Sequence, residues 1–168
     1  PLRAYVQSNN ICRPQTTMTT GCTVGVFEHQ HYTFGPAETI VITFGTFDLF
    51  HLGHLRILQR AKALGDRLIV GVSSDELNYE KKRKRTIYSY EERKNIVENI
   101  KCVDYVFKEE SLDLKAKYLK DYRASILVMG DDWENKFDYL SNVCTVKYIP
   151  RTPSISTTST VDKIIMSQ

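Results

Sequence analysis

The sequence predicts an α/β domain with a five-stranded parallel sheet flanked by helices. Apolar runs of β type alternate with amphipathic helical patterns from residue 40 onward, which is the order that βαβ units require. A hydrophobic share of 42% and a charged share of 26% over 168 residues are those of one ordinary globular domain. Neither a Gly-x-Gly-x-x-Gly nor a Walker lysine motif occurs, so dinucleotide-binding and P-loop proteins are disfavoured.

The elements follow one another in a regular order. Short apolar runs predict strands at 40–44, 68–72, 103–107, 126–129 and 143–149. Helical spacing after the first strand predicts a helix that Gly65 stops, carried by Leu55, Leu58, Ala61 and Leu64. A capping box of Ser89 and Glu92 begins the next helix, a further helix covers about 112–122, and the last begins near Ser156.

The first residues differ from the rest of the chain. Residues 1–38 are rich in Thr, Asn, Gln and Gly and lack periodicity, so we expect an N-terminal extension, a linker or a remnant of a larger chain, before a domain of residues 39–168. The start at Pro1 leaves a fragment or a processed form open. Four cysteines without a C-x-x-C pair predict buried free thiols.

Composition also bounds the partners and the compartment. No run reaches the roughly 18 apolar residues of a membrane helix, and no basic-then-apolar leader is present, so we expect no membrane insertion and a cytoplasmic protein. A net charge of +3 is too small to indicate nucleic-acid binding.

The stretch 43–54, Thr-Phe-Gly-Thr-Phe-Asp-Leu-Phe-His-Leu-Gly-His, is suited to phosphate binding. It follows the first strand and places His51 and His54 at a helix start, where free amides and the helix dipole favour an anion. Gly53 between them would let a phosphate approach the backbone. The two imidazoles can donate hydrogen bonds to charge on phosphorus. Half of a metal site is the alternative, although no further Cys or His cluster supplies ligands.

The stretch 151–158, Arg-Thr-Pro-Ser-Ile-Ser-Thr-Thr, is the second candidate. Arg151 can neutralise phosphate charge, and the Ser and Thr residues offer hydroxyls and helix-start amides, although a plain helix cap also fits. The Gly-Asp-Asp-Trp segment at 130–133 follows the fourth strand. Because ligands of parallel sheets bind beyond the carboxyl ends of the strands, we expect 130–133 and His51 to share one crevice.

Taken together, these motifs resemble the cytidylyltransferases, most closely those that act on glycerol 3-phosphate, from about residue 40 to the C-terminus. The resemblance implies a Rossmann-like nucleotidyltransferase fold and direct in-line transfer of a cytidylyl group from CTP to glycerol 3-phosphate, which yields CDP-glycerol and pyrophosphate. It further implies Mg²⁺ with CTP, a homodimer and a role in teichoic acid or capsule biosynthesis. Phosphoethanolamine, phosphocholine or a modified polyol remain alternative substrates, and a non-catalytic nucleotide-binding module remains an alternative function.

The resemblance also implies roles for individual residues. The catalytic candidates are His51, His54, Lys81 and Arg151. The nucleotide-binding candidates are Gly45, Thr46, Phe47, Asp48, His51, Leu52, Gly53, His54, Arg83, Lys84, Asp131, Asp132, Arg151, Thr152, Ile155, Ser156, Thr157 and Thr158. The candidates for the second substrate are Asp75, Lys81, Arg93 and Lys115. No protein metal-ligand set is evident; Asp48 could help to hold Mg²⁺, orient a histidine or serve the strand end.

Three further segments carry open questions. The basic run 81–85 fits a solvated loop, a nuclear-import or nucleic-acid signal, or the family's phosphate-covering loop, in which Lys84 is an acceptable substitute for Arg83. Ser154 stands where the family usually carries Gly, and we expect an ordinary conformation there because Pro153 makes the turn. The segment 101–104 matches a dimer-interface stretch of the family, with Lys101 in place of the usual Arg.

Overall fold

Five parallel strands form the centre of the structure, a computed structural model that describes residues 38–83, 85–153 and 155–167. The order across the sheet is β3-β2-β1-β4-β5. The strands are β1 Ile40–Gly45, β2 Arg67–Ser73, β3 Tyr105–Glu109, β4 Ile126–Gly130 and β5 Thr145–Ile149. The predicted five-stranded parallel sheet is therefore confirmed. The expected N-terminal extension, which contains Cys12 and Cys22, lies outside the described residues, as do Lys84 and Ser154. Cys144 is a buried free thiol, as predicted, and Cys102 is a half-buried one.

The central strands are buried on both faces. Val41, Ile42, Leu68, Ile69 and Val70 have no exposed surface, as expected for strands of a parallel sheet with helices on both sides. The edge strand β5 has no buried residue. This difference explains why continuous apolar runs located β1, β2 and β4 within about one residue of their bounds.

Five helices lie within the described residues. They are α1 Leu52–Lys62, α2 Asp75–Lys82, α3 Tyr90–Glu98, α4 Lys115–Asp121 and α5 Thr157–Met166. Short 3-10 turns lie at Asp131–Trp133 and Asp138–Asn142. The capping box predicted at the start of α3 is present, with the Ser89 hydroxyl bonded to the Glu92 amide. Along the ranges with described coordinates, none of the helices is sufficiently long and apolar to cross a membrane.

Helix α2 was not predicted from the sequence. Its buried face consists of Leu77 and the amide side chain of Asn78, so it lacks the apolar periodicity of a longer helix. The signal that could have found it is Ser74, whose hydroxyl accepts the Leu77 amide, followed by the acidic Asp75 and Glu76.

Strands β3 and β5 begin two residues later than predicted, and both shifts have a local cause. Before β3, Val103 donates to the Ile100 carbonyl, and the Asp104 carboxylate accepts the Leu68 amide at 2.7 Å. Before β5, the amides of Val143 and Cys144 both donate to the Leu140 carbonyl and close a turn. Val103 and Val143, whose apolar side chains predict strand, therefore form turn hydrogen bonds instead.

The chain reverses direction across the sheet between β1 and β4. Strands β2 and β3 lie on one side of β1, whereas β4 and β5 lie on the other. A crevice opens beyond the carboxyl ends of the strands at such a point. The loop 46–51 after β1 and the turn at 131–133 after β4 lie at that edge, together with the start of α5.

Candidate active site

A cavity of about 570 Å³ lies at this carboxyl edge. Its wall contains both candidate histidines, both candidate cations Lys81 and Arg151, and the start of α5. Thirteen predicted site residues line it: Gly45, Thr46, Phe47, Asp48, His51, His54, Lys81, Lys115, Asp132, Arg151, Ser156, Thr157 and Thr158. The two motifs, about 100 residues apart in sequence, thus meet at one site.

His51 is the N-cap of α1. Its backbone is extended, and its Nδ1 accepts hydrogen bonds from the amides of Gly53 at 3.1 Å and His54 at 3.4 Å. A neutral imidazole that accepts at Nδ1 carries its proton on Nε2. Burial and then the nearby Arg151 charge lower the pKa of His51 below its usual value, which favours the neutral ring at pH 7.

His54 stacks on His51. The ring centroids are 3.8 Å apart with an interplanar angle of 15°, and the Phe47 and Phe50 rings pack against His54 at 5.4 and 5.5 Å. A Cβ at Gly53 would lie 2.9 Å from His51 Cε1. The glycine therefore makes room for the His51 ring, whereas the sequence suggested that it makes room for a phosphate.

The loop between β1 and α1 is strained around Asp48. Phe47 and Leu49 have φ of 54° and 43°, a left-handed conformation that costs a non-glycine residue about 1–2 kcal/mol. The Asp48 carboxylate accepts the amides of Leu49, Ile87 and Tyr88 at 3.0, 2.8 and 2.9 Å. These bonds fix the loop to the segment that follows the basic run. They favour the structural role for Asp48 among those that the sequence left open.

The start of helix α5 also lies at the cavity. The Ser156 hydroxyl caps the helix by accepting the Ser159 amide at 3.0 Å. The Thr157 hydroxyl donates to the Asp48 carbonyl at 3.1 Å and ties α5 to the strained loop. Neither α1 nor α5 carries an acidic residue in its first turn, unlike α2 and α3. Both helix starts at the cavity therefore keep their positive ends available to an anion.

Arg151 lies between the two halves of the site. Its amide donates to Asp131 Oδ1 at 3.3 Å, and its guanidinium is 3.8 Å from Asp132 Oδ2. The Arg151 side chain is 61% exposed, so this long contact holds it weakly. The guanidinium can therefore turn toward a phosphate.

A cluster of charges, in which Glu109 and Lys115 are buried, also lines the cavity. Lys115 Nζ is 2.5 Å from Glu109 Oε1, and Lys81 Nζ is 3.7 Å from Glu109 Oε2. Lys115 lies 3.5 Å from the centre of the Phe44 ring. Burial lowers the pKa of Lys115 to about 8, although the Glu109 charge raises it. The cluster carries one net positive charge when all three groups are ionised.

Arg93 and Asp75 are not among the residues that line the cavity, and their contact with the second substrate stays a prediction. Arg93 is fully buried and donates to the carbonyls of Tyr88, Thr46 and Ser73 and to the Asp75 carboxylate. Burial alone would raise the pKa of Asp75, but the hydrogen bonds from the Tyr90 amide and Arg93 lower it overall. The pair joins the ends of β1 and β2 to the start of α3 and so supports the cavity from behind.

Six other predicted site residues are not part of the cavity lining either. Leu52, Gly53, Arg83, Asp131, Thr152 and Ile155 do not line the cavity. Thr152 is 6% exposed, and its hydroxyl has no hydrogen-bond partner within the described ranges. Arg83, in a left-handed conformation at the end of α2, extends over the Tyr79 ring at 6.0 Å.

The sequence also missed residues of the wall. The polar ones are Thr43, Ser73, Asn78, Arg85, Thr86 and Glu109. Ser73 and Asn78 form one hydrogen-bonded group with Thr46, and Arg85 belongs to the basic run. Strand ends predict such positions in general, because the carboxyl ends of parallel strands meet at one edge. Of these six polar residues, Ser73 and Glu109 are each the last residue of a strand.

The described residues are better suited to a metal ion that is bound together with substrate phosphates than to one held by protein side chains alone. Across 38–83, 85–153 and 155–167, no group of three His, Cys, Asp or Glu side chains is arranged to hold an ion. Both Asp48 oxygens accept backbone amides, and Glu109 is occupied by lysines. Asp132 is the remaining carboxylate of the wall. Mg²⁺ commonly binds through one or two carboxylates and substrate phosphates. Asp132 could supply such a carboxylate, and the bound nucleotide would supply the phosphates.

Comparisons with known proteins identify relatives of this chain. A profile of the family described as cytidylyltransferase-like matches residues 42–163. The glycerol-3-phosphate cytidylyltransferase of Bacillus subtilis strain 168 is 50% identical over 74% of this chain and 95% of its own length. The enzyme of the same name from Staphylococcus aureus strain NCTC 8325 is 46% identical over 70% of this chain and 89% of its own.

A solved structure shares the architecture. The lipopolysaccharide core biosynthesis protein of Thermoplasma volcanium GSS1 superimposes with a TM-score of 0.60 at 26% identity, over 69% of this chain and 98% of that chain. The parallel sheet with its cavity at the switch point is thus a Rossmann-like nucleotidyltransferase fold. The chain belongs to the cytidylyltransferase-like family, and the protein is a nucleotidyltransferase enzyme.

Proposed function

We propose that this enzyme transfers the cytidylyl group of CTP to glycerol 3-phosphate and releases pyrophosphate. The observation that carries the proposal is one cavity lined by the starts of two helices, a stacked histidine pair and two lysines bridged by the buried Glu109. The relatives named glycerol-3-phosphate cytidylyltransferase, at 50% and 46% identity over nearly their whole lengths, support the choice of both substrates.

In this proposal the nucleotide lies along the two helix starts. The α-phosphate faces His51 and His54, whose N–H groups can donate to its oxygens. The β- and γ-phosphates face the first amides of α5, the Thr158 hydroxyl and Arg151. Asp132, or a carbonyl beside it, accepts from the exocyclic amine of cytosine.

The reaction needs no covalent enzyme intermediate. A phosphate oxygen of glycerol 3-phosphate attacks the α-phosphorus, a new P–O bond forms, and the bond between the α-phosphorus and the leaving pyrophosphate oxygen breaks. Alignment of the two substrates and stabilisation of charge on the α-phosphate oxygens supply the catalysis. A neutral His51 with its proton on Nε2 suits that role, because it donates without repelling the cations nearby.

The lysine cluster is the proposed site for the acceptor phosphate. Lys115 and Lys81 line the same cavity as the helix starts and carry the charge that a phosphomonoester needs. The same charge disfavours phosphocholine and phosphoethanolamine, because their cationic head groups would lie near two ammonium groups.

Mg²⁺, the homodimer and the cytoplasmic location belong to the proposal as well. When bound, Mg²⁺ would neutralise charge on the triphosphate, and Asp132 is the wall carboxylate able to contribute a ligand. The homodimer rests on the family resemblance of segment 101–104. In the structure, Asp104 of that segment bonds to Lys62 and Arg67 of its own chain.

The test is direct detection of the product. The full chain, incubated with CTP, Mg²⁺ and glycerol 3-phosphate, should form CDP-glycerol and pyrophosphate in equal amounts by mass spectrometry and phosphate release. CTP chiral at the α-phosphorus should give product with inverted configuration, because a single in-line displacement inverts that centre. No CDP-glycerol would overturn the substrate assignment, and retained configuration would overturn the direct displacement.

A further inference from the structure

Glu109 is a buried carboxylate in the cavity wall that the proposed reaction does not use. It is the last residue of β3, and its side chain is 2% exposed. Its two oxygens face two different lysines, Lys115 at 2.5 Å and Lys81 at 3.7 Å. These lysines come from separate elements, α4 and α2. One carboxylate therefore bridges the two cations proposed to receive the acceptor phosphate.

Lys115 depends on this carboxylate for its charge. Its side chain is 1% exposed, and its ammonium lies between the rings of Phe44 at 3.5 Å and Phe137 at 5.1 Å. Within the described part of the chain, the charged groups that act on it are Glu109, which favours the ammonium, and Lys81, which opposes it. Without Glu109, burial and the Lys81 charge would both act to deprotonate Lys115.

The two ion pairs differ in a way that matters for binding. The short contact with Lys115 is a hydrogen bond, whereas 3.7 Å to Lys81 is a loose ion pair. An incoming phosphate can therefore attract the Lys81 ammonium while Lys115 stays in place. Glu109 compensates one positive charge and leaves one for the ligand.

We propose that Glu109 is a positioning residue that keeps Lys115 charged and directed at the phosphate of the acceptor substrate. This inference rests on the proposed function and adds a role that the two lysines alone do not explain. A carboxylate in a phosphate site would ordinarily weaken anion binding through repulsion. Here its removal weakens binding, because the lysine beside it loses its proton.

The test compares Glu109→Gln with Glu110→Gln, the same substitution at the next residue, whose side chain is exposed. At pH 7.5, Glu109→Gln should raise the KM for glycerol 3-phosphate at least about tenfold and change the KM for CTP less than about twofold. Glu110→Gln should change neither. The ratio of KM values between Glu109→Gln and the wild type should shrink at pH 6, because a lower pH favours the protonated form of Lys115. A merely structural role would give no such recovery.

A second comparison tests whether Glu109 acts through Lys115, and it remains informative if Glu109→Gln alone does not fold. Adding Glu109→Gln to Lys115→Met removes both charges, and a buried ion pair can be replaced by apolar or neutral groups without loss of stability. The double variant should have the same KM for glycerol 3-phosphate as Lys115→Met, within about twofold.

Three results would overturn the inference. They are equal or tighter binding of glycerol 3-phosphate by Glu109→Gln, a KM ratio independent of pH, or a further tenfold loss when Glu109→Gln is added to Lys115→Met. Wild-type enzyme that makes no CDP-glycerol would instead overturn the proposed function. The two failures are therefore distinguishable.

Discussion

At the residue scale, the two nitrogens of the His51 ring have different partners. Nδ1 accepts the amides that begin α1, which leaves the Nε2 proton for a ligand in the cavity. Asn is among the best N-cap residues, whereas Ala is a poor one. Substitution at this single position can therefore separate the capping role from the proposed catalytic role.

We predict that His51→Asn and His51→Ala both lower kcat at saturating CTP by at least about a hundredfold, because both remove a donor to the α-phosphate. Only His51→Ala should lower the free energy of unfolding, by about 1 kcal/mol. Steady-state kinetics and urea titration measure the two effects. Turnover of His51→Asn near the wild-type value would remove His51 from the chemistry.

His54→Ala gives the matched prediction for the second ring. It removes the stacking partner of His51 and the second donor, so kcat should again fall at least about a hundredfold. Calorimetric titration with CTP should still show binding, because the amides of α5 and Arg151 remain. Normal turnover would mean that His54 serves only to pack against Phe47 and Phe50.

The lowered pKa of His51 makes a prediction for stability. The unfolded chain, with a pKa near 6.5, takes up this proton before the folded protein does, so the free energy of unfolding falls as pH drops below 6.5. Denaturant titrations between pH 5 and 8 should show a steeper loss below 6.5 for the wild type than for His51→Asn. Equal slopes would show that His51 titrates normally.

At the element scale, hydrogen bonds restrict the residues near the basic run that can change their backbone protection when a ligand binds. Lys81 lies in α2, while the amides of Ile87 and Tyr88 are bonded to Asp48. From the sequence, the basic run 81–85 is a candidate for the family's phosphate-covering loop. The structure limits that expectation to the stretch after α2 and before Ile87.

We predict that CTP slows hydrogen exchange at Arg83, Arg85 and Thr86, because phosphates neutralise the adjacent cations. Ile87 and Tyr88 should be protected with and without CTP. Asp48→Asn should weaken that protection, because a neutral amide oxygen accepts hydrogen bonds less strongly than a carboxylate. Exchange at Arg83 and Arg85 that CTP leaves unchanged would identify the run as a plain surface segment.

The elements also show how far sequence patterns reach. Buried strands such as β1 and β2 produce continuous apolar runs, and α3 carries a capping box, so each could be located. Helix α2 could not, because its buried face is short and partly polar. The histidine pair and the start of α5 were predicted from motifs. Glu109 was not, because a single carboxylate at a strand end has no sequence signature, and its role depends on two lysines from other elements.

At the scale of the whole molecule, the fold brings together segments from nearly the whole length of the domain. The cavity wall draws on residues from Thr43 to Thr158, and the sheet order places them at one edge. Residues such as Arg93 and Asp48 connect these segments through hydrogen bonds to the backbone. Specificity for two substrates therefore depends on the fold as a unit.

The central claim is that this cavity joins a cytidine nucleotide to a phosphorylated polyol. The most direct test is pyrophosphate release by the full chain, measured for CTP, ATP, GTP and UTP, each with glycerol 3-phosphate, phosphocholine, phosphoethanolamine and a larger polyol phosphate. We predict the highest kcat/KM for CTP with glycerol 3-phosphate, and the cationic alcohols should be poor substrates because of Lys81 and Lys115. Equal or better use of ATP, or preference for a cationic alcohol, would contradict the account.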